Sequence, residues 1–220
     1  MRPGSDRLAR DPAGAPLWVV VLDVGAKVLL VLAVSRVALD PAWGNLEGKA
    51  PGTRALTYPL LAFLVPLAHL LRRSGRPYPW LVDLMVTVPA FSDILGNRLD
   101  LYDRVTWFDD AMHILNTGLL GGAAVVAVGY VGAPLMRRLV VSVAAGMTFS
   151  VVWEVWEYYA FVTRSAEVGT AYADTVGDLA LGWLGTVCVA AMIGSRSSER
   201  QDSQPAARRP APRLPGATVS

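Results

Sequence analysis

The chain has 220 residues, 53% of them hydrophobic and 17% charged, with a mean hydropathy of +0.40; a soluble domain carries about 25% charged residues. A net charge of +2 is too small to point to nucleic acid, and the single cysteine, Cys188, excludes an intrachain disulfide and a thiolate metal cage. What remains is a polytopic membrane protein with one helical domain and membrane lipids as its surroundings.

Residues 1–15 are expected to form a cytoplasmic N-terminal segment, 16–194 a transmembrane domain of six helices, and 195–220 a disordered cytoplasmic tail rich in Ser, Arg, Pro and Ala. A span needs about 20 apolar residues. The first apolar segment covers 16–39 and carries Asp23 and Lys27; it is too long for a signal-peptide core, and no small-x-small cleavage site follows, so it is expected to stay as an anchor. The second, 56–71, is short, contains Pro59 and Pro66, and fits either a tilted span or a re-entrant segment. The third covers 78–95, the fourth 109–131, the fifth 135–162 and the sixth 171–193. Pro66 and Pro89 should kink their helices, since each removes a backbone donor and clashes one turn back. Basic residues before, between and after these segments number 3, 2, 3, 2, 2, 1 and 5, with Arg137 and Arg138, at the start of the fifth segment, counted with the loop before it. The more basic loops are the odd-numbered ones, which places both termini in the cytoplasm.

That orientation gives every buried charge a depth. Asp109, Asp110 and His113 lie in the first turns of the fourth segment, Glu154 and Glu157 in the outer third of the fifth, and Asp174 and Asp178 in the first turns of the sixth. Asp93 sits at the outer end of the third. At 1.5 Å rise per residue these groups sit roughly 5 to 12 Å below the outer surface. Ionisable groups at that depth are costly, so several together suggest a shared site. Asp109, His113 and Asn116 follow i, i+4, i+7 spacing, Glu154 and Glu157 i, i+3 spacing with Ser150 one turn earlier, and Asp174 and Asp178 i, i+4 spacing. Carboxylates so close need a cation, a shared proton or an arginine to relieve their repulsion. Histidine with carboxylates suits a divalent metal such as Zn, Mn or Mg. The expected ligands are His113, Asp109, Asp178 and Glu157, with Glu157 and Glu154 as the catalytic glutamates. Asp109, Asp110 and Asp174 fit equally well as first-turn acids favoured by the helix dipole, and Arg104 or Arg164 could neutralise the glutamates.

A second cluster lies toward the inner face. Asp23 and Lys27 are at i, i+4, Asp83 is just inside the third segment, and His69 ends the second. It fits an internal ion pair that locks helices together, or the inner end of a proton or ion path. Trp107, Trp153, Trp156, Tyr158, Tyr159 and Tyr172 crowd the outer layer as an interfacial belt. Gly118 with Gly122, and Ala173, Gly177 and Gly185, offer small surfaces for close helix packing. There is no G-x-S-x-G, H-E-x-x-H or Walker loop, and the two histidines, His69 and His113, lie toward opposite faces, which speaks against a b-type haem.

Tyr102-Asp103-Arg104 leading to Asp110 and His113, then Trp153-Glu154 with Glu157, then Asp174-Thr175 with Asp178, resemble the YjdF-like bacterial inner-membrane proteins, which are loosely similar to VanZ-like proteins. The resemblance covers 101–185, with 105–109 inserted between the Asp-Arg pair and the histidine. It implies a bacterial plasma-membrane protein with a site on these residues and names no reaction. Three functions stay open: a metal-dependent enzyme acting on a lipid or envelope precursor, a cation- or proton-coupled transporter linking the two clusters, and a non-catalytic scaffold.

Overall fold

The computed structural model describes residues 15–72 and 75–202. The helices are α1 (Leu17–Leu39), α2 (Pro51–Ala62), α3 (Leu64–Arg72), α4 (Trp80–Arg98), α5 (Leu101–Arg104), α6 (Phe108–Ala127), α7 (Leu135–Ala160) and α8 (Ala171–Asp202). Short 3-10 turns occupy Pro41–Gly44, Val162–Arg164 and Ala166–Gly169. The described chain is all-helical, as its composition leads one to expect.

Three stretches are long and apolar enough to cross a membrane: α1, Leu135–Arg164 and Ala171–Gly194. The pair α2 and α3 makes a fourth if it is one bent span. Length and composition alone therefore give three or four of the six crossings expected. α4 and α6 stay outside that set; each carries several polar groups, Asp83, Asp93 and Asn97 on one and Asp109, Asp110, His113 and Asn116 on the other.

The second apolar segment begins earlier than its hydropathy suggests. Pro51 opens α2 in the first helical turn, where its missing N–H costs nothing. The chain then bends by 41° between α2 and α3. The break falls at Phe63, just after Ala62, the residue whose carbonyl would meet the ring of Pro66. By contrast α4 runs through Pro89 as one helix. At the other end α8 continues to Asp202, past the expected boundary at 194, and no proline interrupts the sequence before Pro205. Residues 1–14 and 203–220, which hold nearly all of the expected N-terminal segment and most of the expected tail, lie outside the described residues.

Contacts along the bundle set the direction of each helix. Lys27, midway along α1, pairs with Asp83 near the start of α4, and Asn45, after the 3-10 turn that follows α1, bonds Asp100 just after α4. α1 and α4 are therefore parallel, and α2 with α3 carries the chain back along the bundle between them. His113 early in α6 meets Glu154 late in α7 and Asp178 early in α8, so α7 is antiparallel to both.

α1 buries Leu30, Val34 and Val37 against Tyr58, Ala62, Ala90 and Ile94 of α2 and α4. Its opposite side exposes Leu22, Leu29 and Leu32, an apolar face suited to lipid. The α6, α7 and α8 group packs through small residues. A side chain at Gly185 would place its Cβ 2.0 Å from the carbonyl oxygen of Ile114, and one at Gly121 would meet Ser142 at 2.5 Å. Here the backbones approach because no side chain intervenes. Gly118 faces Gly185, whereas Gly177 faces open space.

Candidate functional site

His113 is the centre of the outer cluster. It projects from the second turn of α6 and is 9% exposed. Its Nε2 lies 3.6 Å from Asp109 Oδ1, one turn back on the same helix, and 3.6 Å from Asp178 Oδ1 on α8. Its Nδ1 lies 3.7 Å from Glu154 Oε1 on α7. One imidazole thus faces carboxylates from three helices, at distances wider than the 2.7–3.2 Å of a normal hydrogen bond. One potential ligand atom from each of Asp109, His113 and Asp178 falls within 4.8 Å of the other two. Ligands about 2.0–2.1 Å from a tetrahedral ion stand roughly 3.3–3.4 Å apart. The spacing fits one divalent cation after a small contraction.

The donor set passes a second test. Glu154 is 7% exposed, and its Oε1 has no hydrogen-bond partner although it points at His113. A buried carboxylate oxygen left bare is expensive unless something positive meets it. Thr175 of α8 reaches the same carboxyl group. The Ser150 hydroxyl, one turn before Glu154, is buried and also unpartnered.

The remaining expected residues fall in different places. Glu157 lines the neighbouring cavity and stands outside the Asp109, His113, Asp178 set; the glutamate beside His113 is Glu154. Three residues further on, the helix has turned Glu157 by about 60° from Glu154. Asp110 is exposed, as a first-turn acid would be. Asp174 lies at the cavity wall. Asn116 accepts a hydrogen bond from Ser92 at 3.1 Å. Neither proposed arginine reaches the glutamates: Arg104 pairs with Asp100 at 3.8 Å, and Arg164 donates to the Ala160 carbonyl at 3.1 Å.

A cavity of about 550 Å³ opens beside His113, among α2, α4, α6 and α7. Its polar wall includes Asp109, Glu157 and Arg54, and its deeper wall includes Leu61, Ala90, Leu120 and Phe149. Arg54 is a residue that hydropathy hides. It counts as a loop charge in the sequence, yet it is 3% exposed on α2. Its Nε donates to Asp93 at 3.1 Å and to Tyr58 at 3.0 Å, and its guanidinium lies over the rings of Trp156 (5.2 Å) and Phe161 (5.4 Å). Trp153 and Trp156 meet at a tilt of 40° with centroids 4.8 Å apart at this wall, whereas Trp107 and Tyr172 are exposed, as a belt requires. Arg138 likewise leaves the loop count. It is buried on α7 with its guanidinium against Gly194.

At the cavity mouth, Lys49 binds Asp103 at 2.8 Å and Asn45 bonds Asp100 and Asp103 at 2.8 and 2.9 Å. The Lys49 hydrogen bond holds the Asp103 carboxyl below the ordinary carboxylate range. Burial pushes the Tyr102 phenol well above its usual value.

A family model for predicted membrane proteins, DUF2238, matches residues 26–199. The chain belongs to that family. The match spans α1 from Ala26 to Glu199 of α8, and so includes every residue of the outer cluster and the motifs that resemble the YjdF-like proteins. No curated protein and no solved structure matches the chain.

The inner cluster is equally compact. Lys27 bonds Asp23, stands 2.9 Å from Asp83 Oδ2 and donates to Thr87 at 2.8 Å. Asp23 and Asp83 are each 1% exposed. His69 is not part of it; its ring stands edge-on to Tyr78 at 5.0 Å.

Proposed function

We propose that this protein spans a bacterial plasma membrane six times with both termini in the cytoplasm, and that its outer site holds one divalent cation and acts on a lipid or envelope precursor. The single observation that carries the metal reading is the donor set: ligand atoms of Asp109, His113 and Asp178 within 4.8 Å, with an unpartnered Glu154 oxygen at the Nδ1 side of the same imidazole. Six crossings are supported by the alternating directions of α1, α2 with α3, α4, α6, α7 and α8. The orientation is supported by basic residues at one end of the bundle, among them Arg72, Arg76 and Arg137. Burial of Arg54 removes a basic residue from an outer loop and sharpens that bias; burial of Arg138 removes one from an inner loop and blunts it.

A divalent ion held there supplies a Lewis acid and lowers the pKa of a bound water. The chain's own residues do the rest. His113 is held between α7 and α8 by its carboxylate neighbours, which fixes the ring that ligates. Glu157, in the cavity wall, is placed to accept a proton from an attacking water. Arg54 is pinned by Asp93 and Tyr58 and keeps a positive charge at that wall. The apolar depth of the cavity suits the chain of an amphiphile whose head lies at the acids.

Elemental analysis of the full chain, purified from the membrane in detergent without chelator, tests the reading. The expected result is about one equivalent of zinc, manganese or another divalent transition metal per chain, lost in His113→Ala and Asp178→Asn. Wild-type protein that stays metal-free after incubation with each ion and desalting would sink it.

A further inference from the structure

The inner cluster has two acids and one base. Asp23 and Lys27 come from α1, Asp83 and Thr87 from α4. Lys27 touches both carboxylates, and Tyr78, just before α4, donates its hydroxyl to Asp83 Oδ2. Thr87 adds a hydrogen bond to Asp23 at 3.2 Å. Asp83 Oδ1 is buried and has no partner.

No second cation completes the count among the described residues. The α2 arginine, Arg54, is committed to Asp93 at the other end of α4. α3 contributes His69, which meets the ring of Tyr78 and forms no ion pair with either acid. α6 meets this end of α4 through apolar contacts, with Ala123 against Val82 and Val86. The ionisable residues of α6, Asp109, Asp110 and His113, lie at its opposite end. If all three groups were ionised, the triad would keep one uncompensated negative charge in a dry interior. Burial of an unpaired charge is the costliest arrangement open to it, and neutralisation by a proton is the usual relief.

We propose that the Asp23, Lys27, Asp83 triad is a proton-binding site that holds one exchangeable proton on Asp83. In the loaded state Asp83 is a neutral acid and Lys27 pairs with Asp23. In the unloaded state the two carboxylates share Lys27. Loading adds one proton from the solvent to one carboxylate oxygen of Asp83 and leaves Lys27 to Asp23; no covalent bond breaks within the protein. The route to water is short. Asp83 lies in the first turn of α4, and Tyr78 links it to residues 75–77, which are exposed. The site does not depend on a metal at the outer cluster, and it gives this end of the bundle a means of sensing or carrying protons.

Infrared difference spectroscopy on the full chain in lipid nanodiscs at neutral pH tests the proposal through the carbonyl stretch of protonated carboxyl groups. Asp83→Asn should lose the band of one carboxyl group. Asp23→Asn should lose one as well, because Asp83 then gives up its proton to pair with Lys27. Lys27→Met should gain one, because Asp23 loses its cation and takes up a proton. Asp103→Asn, at an exposed acid, should leave the band unchanged. Asp83→Asn and Asp23→Asn are independent tests, so failure of either to fold leaves the other standing, and size-exclusion profiles report on folding. An unchanged band in Asp83→Asn overturns the proposal, also when sodium is found bound instead. A loss in Asp83→Asn without one in Asp23→Asn overturns the sharing of Lys27.

Discussion

At the scale of single residues, the two glutamates of α7 have parted company. Their i, i+3 spacing promised one face, and the helix delivers Glu154 to His113 and Glu157 to the cavity wall. On the metal reading this division has measurable consequences. Glu154→Gln removes the charge that holds the imidazole, and loss of such a supporting partner costs about 10–100-fold in metal affinity. Glu157→Gln should leave the affinity within about twofold of wild type, because Glu157 stands outside the ligand set. Competition with a chromophoric chelator measures both. Equal weakening by the two substitutions would return Glu157 to the first coordination sphere. His113, Glu154 and Asp178 were legible in the sequence because a charge deep in an apolar run has few explanations. Arg54 was not, because it follows Lys49 and Pro51 in a stretch that looks like loop. Its burial depends on Asp93, 39 residues away, and on the rings of Trp156 and Phe161, from the end of α7. No local pattern contains those contacts.

At the scale of helices, hydropathy located the elements well and their ends less well. The kink expected at Pro66 is present as a 41° bend one turn upstream, at Phe63, while α4 continues through Pro89 as one helix. The small residues of α6 and α8 read alike in sequence, although their neighbours differ completely. Gly185 has the Ile114 carbonyl 2.0 Å from where a Cβ would sit, and backbone cannot step aside as a side chain can. Gly185→Ala should therefore push α8 from α6 and destabilise the protein by about 1–3 kcal/mol, the usual cost of overpacking. Gly177 has nothing within 4 Å, so Gly177→Ala removes only the conformational freedom of a helical glycine. It should be stabilising by up to about 1 kcal/mol. Thermal unfolding in one detergent ranks the pair, with Gly185→Ala below wild type and Gly177→Ala at or above it. The reverse order would mean that α6 and α8 do not pack in this register.

At the scale of the whole molecule, the outer and inner clusters occupy opposite ends of one bundle, and the chain direction explains why. α4 begins at the inner cluster and α1 passes through it in its first half, while α6 and α8 begin and α7 ends at the outer one. Sequence alone could assign each charge to a helix end. It left the second segment as either a tilted span or a re-entrant one, and the pairing of Lys27 with Asp83 and of Asn45 with Asp100 adds that α1 and α4 run parallel with α2 and α3 between them. The same arrangement predicts which loops share a side of the membrane. Residues 99–107 follow α4 and lead into α6, so they belong with the outer cluster; residues 128–134 join α6 to α7 and belong with the inner end. Thr106 is exposed in the first loop and Gly132 in the second, and Cys188→Ser removes the only native thiol. In that background Thr106→Cys should react with a membrane-impermeant maleimide on intact cells. Gly132→Cys should react only after the membrane is opened. Labelling of Gly132→Cys on intact cells with Thr106→Cys protected would invert the protein and place the metal site toward the cytoplasm. Equal labelling of both would mean that these loops share a side, so the segment between them does not cross, and the six-span topology would fall with it.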